Sequence, residues 1–164
     1  MDLFKYTAHE LHEKLVNKEI TAVELTNAVY DRIAAVDEQV NAYISLSKEE
    51  ALAKAAEVDA KIAAGEAIAP LAGIPVVFKD NINIYGQVTS CASKMLQGVE
   101  TVFDAHVTEE LRKEDAVFLG KANMAEFSIG NTTDNSFNGA VHNPWNLNCT
   151  TGGCATAAAV AAGE

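Results

Sequence analysis

A lysine that follows an apolar run is the first residue in this sequence that could carry chemistry. Lys79 comes directly after residues 73–78, a short and partly β-branched stretch that predicts a buried strand. Open α/β sheets build their sites at the carboxyl ends of strands, so the Lys79 ammonium is predicted at such an edge. Because apolar surroundings disfavour the charged form of an amine, a lysine placed there can act as a base. An ordinary surface lysine is the alternative interpretation.

The second chemical feature is a glycine pair followed by a cysteine. Residues 150–156 read Thr-Thr-Gly-Gly-Cys-Ala-Thr, and Cys154 leads into a helix-forming stretch. The start of a helix offers free amides and a positive dipole end, which make a thiol more reactive. Two interpretations stay open: a plain turn and helix cap, or a thiol nucleophile with Lys79 as its base.

The cysteines form neither a disulfide framework nor a recognisable metal site. Cys91, Cys149 and Cys154 are an odd number without a CxxC pair. His142 lies near two of them in sequence, but the spacing matches no zinc clamp. We therefore predict three reduced thiols and no metal site.

Capping patterns predict three helices in the first part of the chain. Each helix begins where a hydroxyl residue stands three positions before a glutamate, the spacing of a capping box. The pairs are Thr7 with Glu10, Thr21 with Glu24, and Ser47 with Glu50. The second helix carries an apolar stripe at spacings of three and four, formed by Leu25, Val29, Ile33 and Val36. The third helix is predicted from about Lys48 to Ala64, with Gly65 ending it.

Strand and helix patterns alternate in the rest of the chain. The strand at 73–78 is followed by an amphipathic helix over 104–114 and a second buried strand at 116–120, the order of a parallel unit. Residues 131–151 are rich in Asn, Thr, Gly and Pro and predict one long ordered loop. Residues 155–164 are strongly helix-forming.

These elements predict an α/β fold, with a helical N-terminal segment followed by part of a mixed, largely parallel sheet with flanking helices. The chain has 164 residues, 49% of them hydrophobic, which is enough for one core. We expect a single incomplete domain over 1–164, divided into a helical segment at 1–66 and an α/β portion at 67–164. The α/β portion holds both chemical features.

Composition argues against direct contact with nucleic acid or membranes. Twelve basic residues against 23 acidic ones give a net charge of −11, which repels phosphate backbones and anionic lipids. No apolar run approaches the roughly 18 residues of a membrane span, and residues 1–5 lack a secretory pattern. We expect a cytoplasmic protein.

Four segments resemble, in the same order, the landmarks of the amidase-signature family, and within it the A subunits of glutamyl-tRNA(Gln) amidotransferases. The segments are GIPVVFKDN (73–81), TSCASKML (89–96), LGKANMAEF (119–127) and NPW (143–145). The resemblance runs from about Lys5 to Glu164, and the run from Cys91 to Leu96 separates the A subunits from general amidases. It implies an incomplete amidase-signature fold.

The resemblance also implies roles for individual residues. Enzymes of the family use a Ser-cisSer-Lys site, in which Lys79 matches the lysine that withdraws a proton through a bridging serine. Cys154 stands at the bridging position, and a thiol is a weaker hydrogen-bonding group that relays protons poorly. Gly130 and Asn131 match the loop that lines the amide pocket, whereas Ala125 departs from the acidic residue usual at its position.

The family's nucleophilic serine and oxyanion amides belong to a later segment than this sequence contains. The resemblance therefore implies that the chain by itself is inactive. In complete relatives, glutamine is hydrolysed and ammonia passes to a partner that activates glutamate on tRNA. ATP and Mg would be used by that partner, so no cofactor is expected in this chain, and the B and C subunits are the expected partners.

Two other functions are compatible with the sequence. One is a non-catalytic binding or regulatory derivative, which docks onto amidotransferase subunits or self-associates because half a sheet leaves edges and apolar faces uncovered. The other is a fragment of a general amidase for small amides. Co-purification with a glutamate-activating subunit would favour the amidotransferase, and self-association alone would favour the derivative.

Overall fold

The computed structural model describes residues 3–152 and residue 157, which form helices around a small mixed sheet and a separate hairpin. The helices are α1 (Ala8–Val16), α2 (Ala22–Val40), α3 (Lys48–Ala64) and α4 (His106–Lys113). The strands are β1 (Tyr43–Leu46), β2 (Pro75–Lys79), β3 (Val117–Ala122), β4 (His142–Asn143) and β5 (Asn146–Thr150). Short 3₁₀ turns lie at Leu3–Lys5, Lys94–Leu96 and Glu126–Ser128.

Helices α1 and α2 begin with the predicted capping boxes. The hydroxyls of Thr7 and Thr21 accept hydrogen bonds from the backbone N–H of Glu10 at 3.3 Å and of Glu24 at 3.0 Å. The two glutamates accept in return from the threonine amides, at 2.8 and 2.9 Å. Two otherwise unpaired amides are thus satisfied at each helix start.

Helix α3 has the predicted bounds, but its predicted cap is wrong. Gly65 ends the helix at φ 78°, a left-handed conformation that glycine adopts readily. Among the described residues, Ser47 makes no side-chain cap hydrogen bond. Its hydroxyl instead accepts from Gln87 Nε2 at 3.1 Å. A tertiary partner has replaced the local one.

The main sheet has the strand order β1-β3-β2. Strands β2 and β3 are parallel, with Lys79 paired to Ala122, which confirms the predicted parallel unit. Strand β1 is antiparallel to β3 and was not predicted. It lies inside the segment 1–66, so that segment is not helical throughout, and the boundary at residue 66 stays a prediction.

The long loop predicted over 131–151 is wrong in its second half. Strands β4 and β5 form a hairpin there, with His142 paired to Thr150 and Asn143 to Asn146. All five residues of β5 are exposed, and Asn146 and Asn148 are of a type that strands disfavour, so composition did not predict the strand. The helix predicted over 155–164 lies outside the described residues, apart from Ala157, which is helical and buried.

One hydrophobic core joins the helices to the sheet. Leu15 of α1, Leu25 of α2, Val58 of α3 and Val117 of β3 are all fully buried members of it. Of the apolar stripe predicted for α2, Leu25 and Ile33 are buried in this core and Val29 packs against it, whereas Val36 is only partly buried. In the described part of the chain, no helix has the length and apolar character to cross a membrane.

Candidate functional site

Lys79 is the last residue of β2 and lies at the carboxyl edge of the parallel pair, as predicted. The side chain is partly buried. Its ammonium donates a hydrogen bond to Ser128 Oγ at 3.0 Å. A lysine amine and a hydroxyl at this distance can exchange a proton, which is the chemistry that the sequence indicated for Lys79.

The buried carboxylate of Asp80 folds the following loop back onto the end of β2. Asp80 Oδ2 accepts from Ser90 N at 3.1 Å, Ser90 Oγ at 2.5 Å and Ala92 N at 3.1 Å. The Asp80 amide in turn donates to Ala122 O at 3.1 Å. One residue after Lys79, the chain is therefore tied both to β3 and to its own loop.

A second lysine, Lys121, is buried beneath this loop and is only 1% exposed. Its ammonium donates to Ile82 O at 2.6 Å and to Thr89 Oγ1 at 2.9 Å, and it lies 3.8 Å from Asp80 Oδ1. Burial lowers the pKa of Lys121, and the Asp80 carboxylate opposes that effect. Sequence reasoning missed this residue, although a lysine next to the apolar stretch at 116–120 was a signal for it.

The loops after β2 and β3 meet in strained backbone. Cys91 and Ala92 have φ values of 50° and 52°, and Phe127 and Ser128 have values of 49° and 62°. Residues with a Cβ rarely adopt such left-handed conformations, and strain of this kind collects at functional sites. The two loops are joined by a hydrogen bond from Phe127 N to Cys91 O at 3.0 Å.

Ser128 is the contact of Lys79 that sequence reasoning missed. The two residues are 49 positions apart, and no spacing rule connects them. Asn81 Nδ2 also lies 3.5 Å from Ser128 Oγ, so two side chains from the β2 end approach the same hydroxyl.

The predicted substrate-binding residues, Gly130 and Asn131, follow Ser128 on the same loop. Both are exposed, and they come directly after Ile129, whose side chain is 72% exposed. The loop is held by Asn135, whose amide donates to Ile129 O at 2.8 Å. Contact of Gly130 or Asn131 with a substrate stays a prediction.

Cys154 lies outside the described residues. Cys91 and Cys149 are free thiols, and burial raises the pKa of Cys91, with the nearby Asp80 carboxylate acting in the same direction. Within the described ranges, no group of three His, Cys, Asp or Glu side chains is placed to hold a metal ion. A cavity of about 590 Å³ lies elsewhere, lined among others by Phe4, Arg32 and Trp145.

Comparisons with known proteins agree on one family. The family model described as Amidase matches residues 24–164. The A subunit of the glutamyl-tRNA(Gln) amidotransferase from Clostridium botulinum strain Loch Maree is 50% identical over 161 residues, covering 98% of this chain and 33% of that protein. Its counterpart from Desulforamulus reducens is 49% identical over 166 residues, covering 100% and 34%.

Solved structures show the same similarity. The peptide amidase of Stenotrophomonas maltophilia superposes with a TM-score of 0.87 at 34% identity, covering 96% of this chain and 34% of that one. The chain thus spans about a third of the length of the relatives that it matches.

Proposed function

This chain belongs to the amidase family, and from that premise we propose that it is the lysine-bearing part of a glutamine-hydrolysing A subunit of glutamyl-tRNA(Gln) amidotransferase. The observation that carries the proposal is the 50% identity to an A subunit over 98% of the chain. Identity to the peptide amidase is lower, at 34%.

In this proposal Lys79 acts as the proton carrier of amide hydrolysis. Its neutral amine takes a proton through a neighbouring hydroxyl as the nucleophile attacks the glutamine carboxamide, and the proton later leaves with ammonia. The hydrogen bonds of Asp80 and Lys121 support the role, because they hold the chain beside Lys79 in one arrangement. Gly130 and Asn131 line the amide pocket.

The partners follow from the same assignment. The B and C subunits would complete the complex, and a glutamate-activating partner would use ATP and Mg to receive the ammonia. The net charge of −11 supports a role in which a partner, rather than this chain, contacts tRNA. The place of action would be the cytoplasm.

Two observations favour other functions. The TM-score of 0.87 with a peptide amidase favours a general amidase for small amides. The cysteine at position 154, where the resemblance expects a bridging serine, favours a non-catalytic derivative.

The proposal is tested with a chimera in which residues 1–164 replace the matching part of the Clostridium botulinum A subunit, assembled with its B and C subunits. We expect ammonia release from glutamine that exceeds release from asparagine or a peptide amide. Lys79→Ala should lower the rate by about 10²- to 10⁴-fold, the usual contribution of a positioned acid–base group. Lys113→Ala, which changes an exposed lysine on α4, should leave it within about twofold.

The isolated 164-residue chain is the second arm, and we expect no ammonia release from it. Turnover that is lost in both Lys79→Ala and Cys154→Ala would instead identify a thiol amidase. A chimera that releases no ammonia, or is indifferent to Lys79→Ala, contradicts the proposal. Preference for the peptide amide would identify a general amidase.

A further inference from the structure

The hydroxyl of Ser128 is a side-chain partner of Lys79, the lysine at the sheet edge. Lys79 Nζ donates to Ser128 Oγ at 3.0 Å, and Asn81 Nδ2 lies 3.5 Å from the same oxygen. We propose that Ser128 is a positioning residue, which holds Lys79 in place and supplies the hydroxyl that position 154 lacks. The inference deepens the proposed function and rests on the role given there to Lys79.

The backbone around Ser128 is arranged for this contact at an energetic cost. Ser128 and the preceding Phe127 have φ values of 62° and 49°, in a region that disfavours residues with a Cβ. Hydrogen bonds from Phe127 N to Cys91 O at 3.0 Å and from Ser128 N to Ala125 O at 2.9 Å hold this conformation. A strained backbone together with a hydroxyl that contacts a lysine indicates a functional residue more strongly than either feature alone.

The chemistry of a hydroxyl suits the role. Toward an ammonium, Ser128 Oγ accepts a hydrogen bond, and toward a neutral amine its O–H can donate. If a donor on the substrate side gives a proton to Oγ, the serine's own proton can pass to Lys79 Nζ, so charge and protons balance. The sequence has a cysteine at position 154, whose thiol does this less well.

The experiment measures the acetylation rate of Lys79 by an N-hydroxysuccinimide ester of acetic acid, read by peptide mass spectrometry on the 164-residue chain. Only an amine that is neutral and not held in a hydrogen bond reacts with the ester. Ser128→Ala and Ser128→Gly should raise the Lys79 rate by about three- to tenfold, the factor that one ordinary hydrogen bond represents. Ser128→Thr keeps the hydroxyl and should restore a slow rate.

The same variants separate the hydroxyl from the fold. At a positive φ, glycine should stabilise the chain relative to alanine, and the β-branched threonine should destabilise it. The proposal is supported if Lys79 is acetylated slowly in the chains with Ser or Thr at position 128 and rapidly in those with Ala or Gly. It is overturned if the acetylation rate instead rises as the stability measured by urea unfolding falls. The exposed Lys113 provides the internal reference rate.

Ser136→Ala is the matched control. Ser136 is buried after the same loop, and its hydroxyl donates a hydrogen bond to Asn123 Oδ1 at 2.7 Å. Faster Lys79 acetylation in this variant, equal to that in Ser128→Ala, would show general loosening and overturn the inference.

Labelling needs no turnover, so the two proposals fail separately. If the chimera is inactive but Ser128→Ala still speeds the acetylation of Lys79, only the proposed function is contradicted. If the chimera is active but Ser128→Ala leaves the acetylation rate of Lys79 unchanged, only this inference is contradicted.

Discussion

Lys79 and Lys121 occupy neighbouring strands but have opposite environments. The Lys79 ammonium reaches a hydroxyl at the edge of the sheet, and its side chain is partly exposed. The Lys121 ammonium is enclosed by Ile82 O, Thr89 Oγ1 and the Asp80 carboxylate. Because these three partners all belong to the loop after β2, we infer that Lys121 organises this loop, whereas Lys79 is the lysine available for chemistry.

Replacement of Lys121 by methionine tests that role. Lys121→Met keeps an unbranched side chain that is one atom shorter, but it leaves the buried Asp80 carboxylate without its cation. Breaking a buried pair in this way costs about 3–5 kcal/mol, so the free energy of unfolding should fall by about that amount. Urea unfolding gives the value, and Lys113→Met on the surface should change it by no more than about 0.5 kcal/mol. A loss equal to that control would contradict the assignment.

The same pair predicts a pH dependence with a definite sign. Burial lowers the pKa of Lys121 in the folded chain below its ordinary value of 10.5. Between the folded and unfolded pKa values the unfolded chain binds more protons, so the contribution of Lys121 to stability rises with pH in that window. Urea midpoints measured up to pH 10.5 should therefore rise more in the wild type than in Lys121→Met. Parallel curves would show that Lys121 titrates alike in both states.

At the scale of the elements, Gly120 lets β1 pair with β3. Its φ is 146°, and a Cβ at this position would lie 2.0 Å from Ser45 O and 2.9 Å from Leu46 Cα. The pairing of β1 is irregular beside this contact, with a register shift between Tyr43 and Ser45. The close approach of two backbones therefore depends on a missing side chain.

Gly120→Ala should destabilise the chain by more than the unfavourable φ of the new residue explains. We expect overpacking to add about 1–3 kcal/mol to the cost of the strained φ. Gly86→Ala is the matched control, because Gly86 also has a positive φ of 75° but open space around it. That variant should lose only the roughly 1–2 kcal/mol of a left-handed residue. Equal losses in urea unfolding would show that the contact with β1 is unimportant.

At the scale of the whole molecule, apolar surface and net charge oppose each other. Large apolar side chains are exposed along the segment after β2: Tyr85 is 66% exposed, Met95 82%, Val102 80% and Phe103 61%. Exposed apolar patches favour association. The charge of −11 keeps copies of the chain apart.

Salt should therefore shift the balance toward association. Between 0.1 and 1 M salt the screening length falls from about 10 to about 3 Å, which removes most of the repulsion between copies. Sedimentation velocity should show a weight-average mass that rises with salt, and Val102→Ser with Phe103→Ser should reduce the rise. The same mass at both salt concentrations would mean that these side chains do not form an associating surface.

Local patterns in the sequence account for much of the fold. The capping boxes at Thr7 and Thr21, the bounds of α3 and the parallel pair around Lys79 were all predicted correctly. Each depends on residues within a few positions of one another, or on the rule that a strand, helix and strand form a parallel unit. The predicted edge position of Lys79 follows from the same rule.

Contacts between residues that are distant in sequence were decided by the tertiary structure alone. Strand β1 has only four residues, and its strand conformation depends on pairing with β3, more than 70 positions later. The Ser47 hydroxyl accepts a hydrogen bond from Gln87 Nε2 instead of capping its own helix, and Lys79 donates to Ser128, 49 positions later. The spacing of apolar residues along the chain reveals the periods of helices and strands, whereas these partners depend on how the elements pack.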